Sequence, residues 1–130
     1  MYASSSAPDT DWVVRLCDVY PDGCSMSVCD GILRGRYRDS THRPELMDPG
    51  QIYQFEVDLW ATAQSFPPGH RLRVELTSSD FPRYDRNLST GGPLGEEVSS
   101  RVAANTIYHD RGRASHVVLP VFRSNRSEIA

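Results

Sequence analysis

Apolar and polar positions alternate with a period of two along most of this chain, and the cleanest run is Arg71–Thr77. Leu72, Val74 and Leu76 fall on one side, and Arg71, Arg73, Glu75 and Thr77 on the other. That period predicts a half-buried β-strand. Pro67-Pro68-Gly69 ahead of it is turn chemistry, because proline presets φ and glycine accepts the positive φ of the next turn position. Beyond it, residues 78–87 cannot continue as an inner strand, since Pro82 lacks a ladder donor and polar residues crowd the segment. An ordered loop at a strand end is expected there.

Residues 12–20 set Trp12, Val14 and Leu16 against Val13, Arg15, Cys17 and Val19. Both faces are largely apolar, which predicts a central strand. Pro21-Asp22-Gly23 turns the chain into a second long strand, residues 24–38, where Gly31 and Gly35 suggest a bulge or a close backbone approach. Residues 1–11 read as a small polar loop, and residues 39–51 as a loop ending in the Asp48-Pro49-Gly50 turn. In residues 52–59, Tyr53, Phe55, Val57 and Leu59 point inward. This strand is expected beside Arg71–Thr77, with Glu56 and Asp58 facing Arg71 and Arg73; such pairs contribute about 0.2 to 1 kcal/mol each and help fix register. Residues 102–108 and 116–122 complete the set, the latter at an edge because of Pro120. No stretch keeps a 3.6 period, so helix should be sparse. Five or six alternating strands with turn signals between them make an all-β sandwich or jelly roll, here one domain over residues 1–124 with a polar tail at 125–130.

Charge narrows the function. A net charge of -3 over 130 residues argues against a nucleic-acid or anionic-membrane surface, which needs a basic face. No apolar run approaches the ~18 residues of a membrane helix, and the first residues lack the pattern of a signal peptide. The three cysteines, Cys17, Cys24 and Cys29, gather around one hairpin. If residues 21–23 close it, Asp18 lies opposite Met26 and Leu16 opposite Val28, which leaves Cys17 and Cys29 at best diagonal and too far apart for a disulfide. Reduced thiols and a cytoplasmic location are the expectation.

Candidate chemistry is thin. The four histidines, His42, His70, His109 and His116, form no HExxH and no pair at metal-ligand spacing. The GxSxG elbow, the phosphate loop and the dinucleotide glycine pattern are all absent. No catalytic residue, metal ligand or cofactor is therefore assigned. Two features hold binding chemistry. Arg34, Arg36 and Arg38 share one face at period two, and a guanidinium stripe can clamp a carboxylate or phosphate; the plainer reading is a solvated face balanced by acids such as Asp18, Asp30 or Asp39. The loop at 78–87 carries Phe81, Arg83, Tyr84, Asp85 and Asn87 on a rigid strand end, where a ligand or partner could be held. Against that, loops rich in Asp, Asn and Ser more often tie themselves down by local hydrogen bonds.

Four segments, APDTDWVVRLCDVYPDG (7–23), DGILRGRYRDS (30–40), PGHRLRVELTSSDFPRYDRN (68–87) and YHDRGRASHVVLP (108–120), together resemble the C-terminal domain of the X-Pro dipeptidyl-peptidase and cocaine-esterase-like family of serine hydrolases. The resemblance implies a galactose-binding-like jelly roll that follows an α/β-hydrolase domain. The catalytic triad of that family belongs to the hydrolase domain, so no catalytic role carries over to any position here. Asp18, Arg36, Arg38, His70 and Arg71 then look like architecture. Phe81, Arg83, Tyr84, Asp85 and Asn87 remain candidates for an interface or a ligand. Family members start their roll earlier, so this chain is expected to lack first strands, exposing a sheet edge through which copies could associate. The implied partner is an α/β-hydrolase domain, in the same or a separate chain. The alternative is a stand-alone module binding carbohydrate or another small ligand.

Overall fold

A computed structural model describes residues 1–122; the polar tail expected at 125–130 lies outside the described residues. Six strands run in chain order: β1 (Tyr2–Ser5), β2 (Asp11–Val19), β3 (Ser25–Arg34), β4 (Tyr53–Gln54), β5 (Arg71–Thr77) and β6 (Asn105–Tyr108), with one 3-10 turn at Gly35–Tyr37. They form two antiparallel sheets of three, ordered β4-β1-β6 and β3-β2-β5. The sheets face each other as a β-sandwich.

β2 is central, as its two apolar faces require. Its register with β3 and β5 puts Trp12, Val14, Leu16 and Asp18 on the same face as Leu33, Gly31 and Cys29 of β3 and Leu76, Val74 and Leu72 of β5. That face meets the other sheet in a core of Ala3, Trp12, Met47 and Phe55, onto which Met1, Leu33, Tyr53, Val57 and Ile107 pack. The Trp12 and Phe55 rings lie 5.3 Å apart at a tilt of 47°, a geometry that adds about 0.5 to 1.5 kcal/mol beyond area burial.

Several sequence expectations change. Residues 1–11 are not a loop: Tyr2–Ser5 is the middle strand of its sheet, with Ala3, Ser4 and Ser5 all buried. Its polar side chains are satisfied, since Ser4 shares a 3.1 Å hydrogen bond with the Tyr108 hydroxyl across the sheet and Ser5 Oγ accepts from the Ala7 amide. The segment at 52–59 is strand only over Tyr53–Gln54 and pairs with β1, not β5. Its inward alternation survives, with Phe55 1 % exposed and Val57 on the core. β5 pairs instead with β2, where Arg15 opposes Glu75, so Glu56 and Asp58 do not face Arg71 and Arg73. Nine residues of apolar central strand offer β5 a longer ladder than a segment that leaves its sheet after two. Residues 116–122 hold no strand, and β3 stops at Arg34.

The hairpin register holds at Asp18 and Met26 but shifts between Leu16 and Cys17, so Leu16 faces Cys29 and the extra residue is Val28. The close approach expected at a β3 glycine is found at Gly31, where a Cβ would collide with the Asp58 carbonyl oxygen. The chain after β4 crosses the inner face of β3 at that point.

Candidate functional site

Two clefts among the described residues are lined mainly by small and polar side chains. One of about 300 Å³ opens beside Trp12, Leu76, Ser78 and Asn105, and one of about 330 Å³ beside Thr10, Ser79, Arg86 and Arg101. Neither is lined by a histidine, cysteine or carboxylate, so neither pairs a nucleophile with a base. Among the described residues no three His, Cys, Asp or Glu side chains gather as metal ligands. No helix there is long and apolar enough to cross a membrane.

The chemistry lies instead in a polar knot where β2 begins and β3 ends. The Asp9 carboxylate is fully buried and accepts from the Arg36 amide at 2.9 Å, from Arg36 Nε at 2.7 Å and from Asn87 Nδ2 at 2.8 Å. Asp11, 1 % exposed, accepts two parallel bonds from Arg34 at 2.8 and 2.9 Å and a third from Asn87 at 2.8 Å. This fork-to-fork geometry suits guanidinium and carboxylate. The hydrogen bond it donates to Asp11, ahead of the opposing effect of burial, holds the Arg34 guanidinium well above its ordinary range, and Asp85 adds to it. Arg36 also donates to the Gly92 carbonyl at 3.0 Å, while its Nη2 finds no partner among the described residues.

The arginine stripe is therefore neither a clamp for a ligand nor a solvated face. β3 ends at Arg34, the 3-10 turn swings Arg36 inward to Asp9, and Arg38 stacks 4.5 Å over the Tyr53 ring with Asp39 at 3.2 Å and Glu45 at 3.5 Å. Of the three acids expected to balance the stripe, only Asp39 does so. Asp30 takes Arg83. Asp18 takes His70, whose Nδ1 lies 2.8 Å away, with Gln64 at 3.3 Å on the other oxygen and Tyr20 edge-on to the imidazole. Among the described residues no serine hydroxyl joins this pair, which fastens the turn at 67–69 to β2.

The loop at 78–87 is fastened to the outer face of the β3-β2-β5 sheet by three ion pairs in succession. Asp80 meets Arg15 at 3.1 Å, Arg83 meets Asp30, and Asp85 meets Arg34 at 3.2 Å. Asn87 closes the series on Asp9 and Asp11, while its own Oδ1 accepts from the Ser89 amide at 2.9 Å. The polar groups singled out for binding are thus engaged inside the domain. Of the aromatics, Tyr84 lies under Arg83, and Phe81, 58 % exposed, lies under Arg86 at 4.4 Å. Arg71 stands apart from the other structural candidates: it is exposed and has no ion pair among the described residues. Sequence reasoning missed Asp9 and Asp11. Two acids two apart beside a tryptophan, with no turn glycine between them, were the available signal.

All three cysteines are free, with Cys17 buried, Cys29 half-buried and Cys24 exposed. Burial first, then Asp30 and Cys17, pushes the Cys29 thiol up.

Residues 1–118 match the model of the X-Pro dipeptidyl-peptidase C-terminal non-catalytic domain. The chain belongs to that family. Cocaine esterase of Rhodococcus sp. (strain MB1 Bresler) is 44 % identical over 125 residues, which is 95 % of this chain and 22 % of that protein. Among solved structures, an aminopeptidase from a marine sediment Thaumarchaeota archaeon superposes with a TM-score of 0.81 at 32 % identity, over 86 % of this chain and 20 % of that one. An α-amino acid ester hydrolase does so with a TM-score of 0.78 at 35 % identity, with the same coverage. The chain therefore spans about a fifth of the length of the relatives it matches. The knot at Asp9 and Asn87 lies inside the region matching the family model, whose description is non-catalytic.

Proposed function

We propose that this chain is the accessory β-sandwich of an X-Pro peptidase or esterase-type serine hydrolase, packing on an α/β-hydrolase domain and supporting its fold while contributing no bond-breaking group. One observation carries the reading: nearly the whole chain corresponds to a domain described as non-catalytic, within hydrolases about four times its length. The side-chain geometry supports it. The carboxylates of the knot and the loop, with Arg34, Arg36 and Arg83, are matched to charged or backbone groups of their own domain, and Arg86 lies over the Phe81 ring, which fixes the surface a partner would meet. Cytoplasmic residence belongs to the same proposal, supported by three unpaired thiols, one of them exposed.

Exchange of the corresponding segment of the Rhodococcus esterase for this chain tests the role. The chimera is expected to be soluble and to hydrolyse an aryl ester, while the same esterase cut short before that segment is expected to lose most of its turnover. A chimera no better than the shortened enzyme would overturn the reading. So would a shortened enzyme as active as the intact one.

A further inference from the structure

The two clefts share Ser78 and Ala103 in their linings, so they adjoin. The smaller, of about 300 Å³, has Trp12, Leu76 and Ile107 in its wall. The larger, of about 330 Å³, is framed by Arg86 and Arg101 together with Ser79, Ser89 and Ser100. Neither wall holds a carboxylate. A partly apolar hollow thus runs into a cationic one, on a chain whose net charge is -3.

The arginines of the knot and the pinned loop are neutralised inside the domain: Arg15 by Asp80, Arg34 by Asp11, Arg36 by Asp9 and Arg83 by Asp30. Arg86 and Arg101 have no ion pair among the described residues. Each is held in place by a neutral group instead. The Arg86 guanidinium lies 4.4 Å above the Phe81 ring. Arg101 donates from Nη2 to the Ser6 carbonyl at 2.9 Å, and its amide donates to the Leu88 carbonyl at 2.9 Å, which ties it to the segment carrying Arg86. A guanidinium has five N–H donors, so both arginines keep donors for a carboxylate or phosphate oxygen. The wall carries strain as well. Ser89 is 8 % exposed and holds φ at 62°, in the left-handed region that residues other than glycine seldom adopt. Such conformations cluster at sites that clamp a ligand.

We propose that the adjoining clefts bind a small amphipathic carboxylate, its anionic end held by Arg86 and Arg101 and its apolar body laid against Leu76 and Ile107. A bare phosphate would use the arginines and leave the apolar wall unfilled. A sugar needs an open aromatic face to stack on, and the aromatic of these walls, Trp12, is 2 % exposed. Hydrolysis of an ester or an amide releases a carboxylic acid, so the acid product of the hydrolase proposed above belongs to this ligand class. That link rests on the accessory role; the binding itself does not. Both arginines face water, so the site should be weak, with a dissociation constant of about a millimolar or tighter that rises with salt.

Titration of phenylbutyrate into the isotope-labelled full chain, followed by its amide NMR shifts, tests this. Saturable shifts are expected at Ser79, Ser100, Arg101 and Ala103. Three further probes should each bind about tenfold more weakly or worse: phenylbutyramide, which lacks the charge, and acetate and inorganic phosphate, which lack the apolar body. Arg86→Gln and Arg101→Gln are each expected to weaken phenylbutyrate binding about tenfold. Arg71→Gln, at an exposed arginine outside both linings, should leave it unchanged. A circular dichroism melt checks that each variant folds, and the four probes on the unaltered chain decide the matter whatever the variants do. Absence of a saturable shift, shifts centred away from the clefts, or equal binding of the amide, acetate or phosphate would overturn the proposal. So would folded Arg86→Gln and Arg101→Gln chains that bind as tightly as the original. No hydrolase enters this measurement, so its failure would leave the accessory role standing, and failure of the chimera would leave this binding standing.

Discussion

Asp9 has no exposed surface, and its three donors come from two segments that are 27 and 78 residues away along the chain. Breaking a buried pair by removing one partner leaves an uncompensated charge and costs about 3 to 5 kcal/mol. Asp9→Asn does this to Arg36, and urea unfolding should show a loss of that order. Arg71→Ala, which removes an exposed side chain with no ion partner among the described residues, should stay within about 0.5 kcal/mol. Equal effects would mean that the knot is not what orders this end of the domain. The partners of the arginines were not legible in the sequence because they depend on where β3 stops. A strand continued to Arg38 puts Arg34, Arg36 and Arg38 on one face. The 3-10 turn after Arg34 sends Arg36 to Asp9 and leaves Arg38 to the neighbouring Asp39 and Glu45.

At the scale of the element, the period-two pattern told which side chains go inward more reliably than which strands pair. Arg71–Thr77 has the bounds read from its alternation, and β2 is central as its two apolar faces require. Phe55 and Val57 are inward although their segment leaves the ladder after Gln54, because packing on Trp12 needs only the side chains to alternate. β1 carries no such pattern. Its Ala3, Ser4 and Ser5 are buried against a ladder with β6, about a hundred residues away, where Ser4 also meets the Tyr108 hydroxyl, a signal no local reading can hold. The crossing of residues 55–59 over β3 explains Gly31, which has an ordinary strand φ and yet no room for a side chain. Gly31→Ala must push the Asp58 backbone off the sheet. Overpacking of this kind costs about 1 to 3 kcal/mol, and the thermal midpoint of the variant should fall accordingly. An unchanged midpoint would show that the crossing segment is loosely held.

As a whole molecule, the chain is a sandwich whose charged groups largely point back into it. The Asp80, Arg83, Asp85 and Asn87 series pins the loop at 78–87 to the outer face, and the Asp18 and His70 pair pins the turn before β5. Apolar side chains also remain uncovered: Leu72, Val74 and Leu76 on the inner face of β5, with Trp60, Val102 and Val118 each more than 75 % exposed. Exposed apolar surface beside a satisfied polar framework is the profile of a part that works against a partner. Among the described residues the nearest approach to a catalytic arrangement is Asp18 with His70, and that pair reaches Gln64 and Tyr20 rather than a nucleophile. The most direct test of the account is therefore hydrolysis of an aryl ester and of an X-Pro anilide by the purified chain alone, with and without a serine-directed phosphonate. The account predicts release at the buffer rate and no covalent labelling. Turnover above that rate, abolished by the phosphonate, would contradict it.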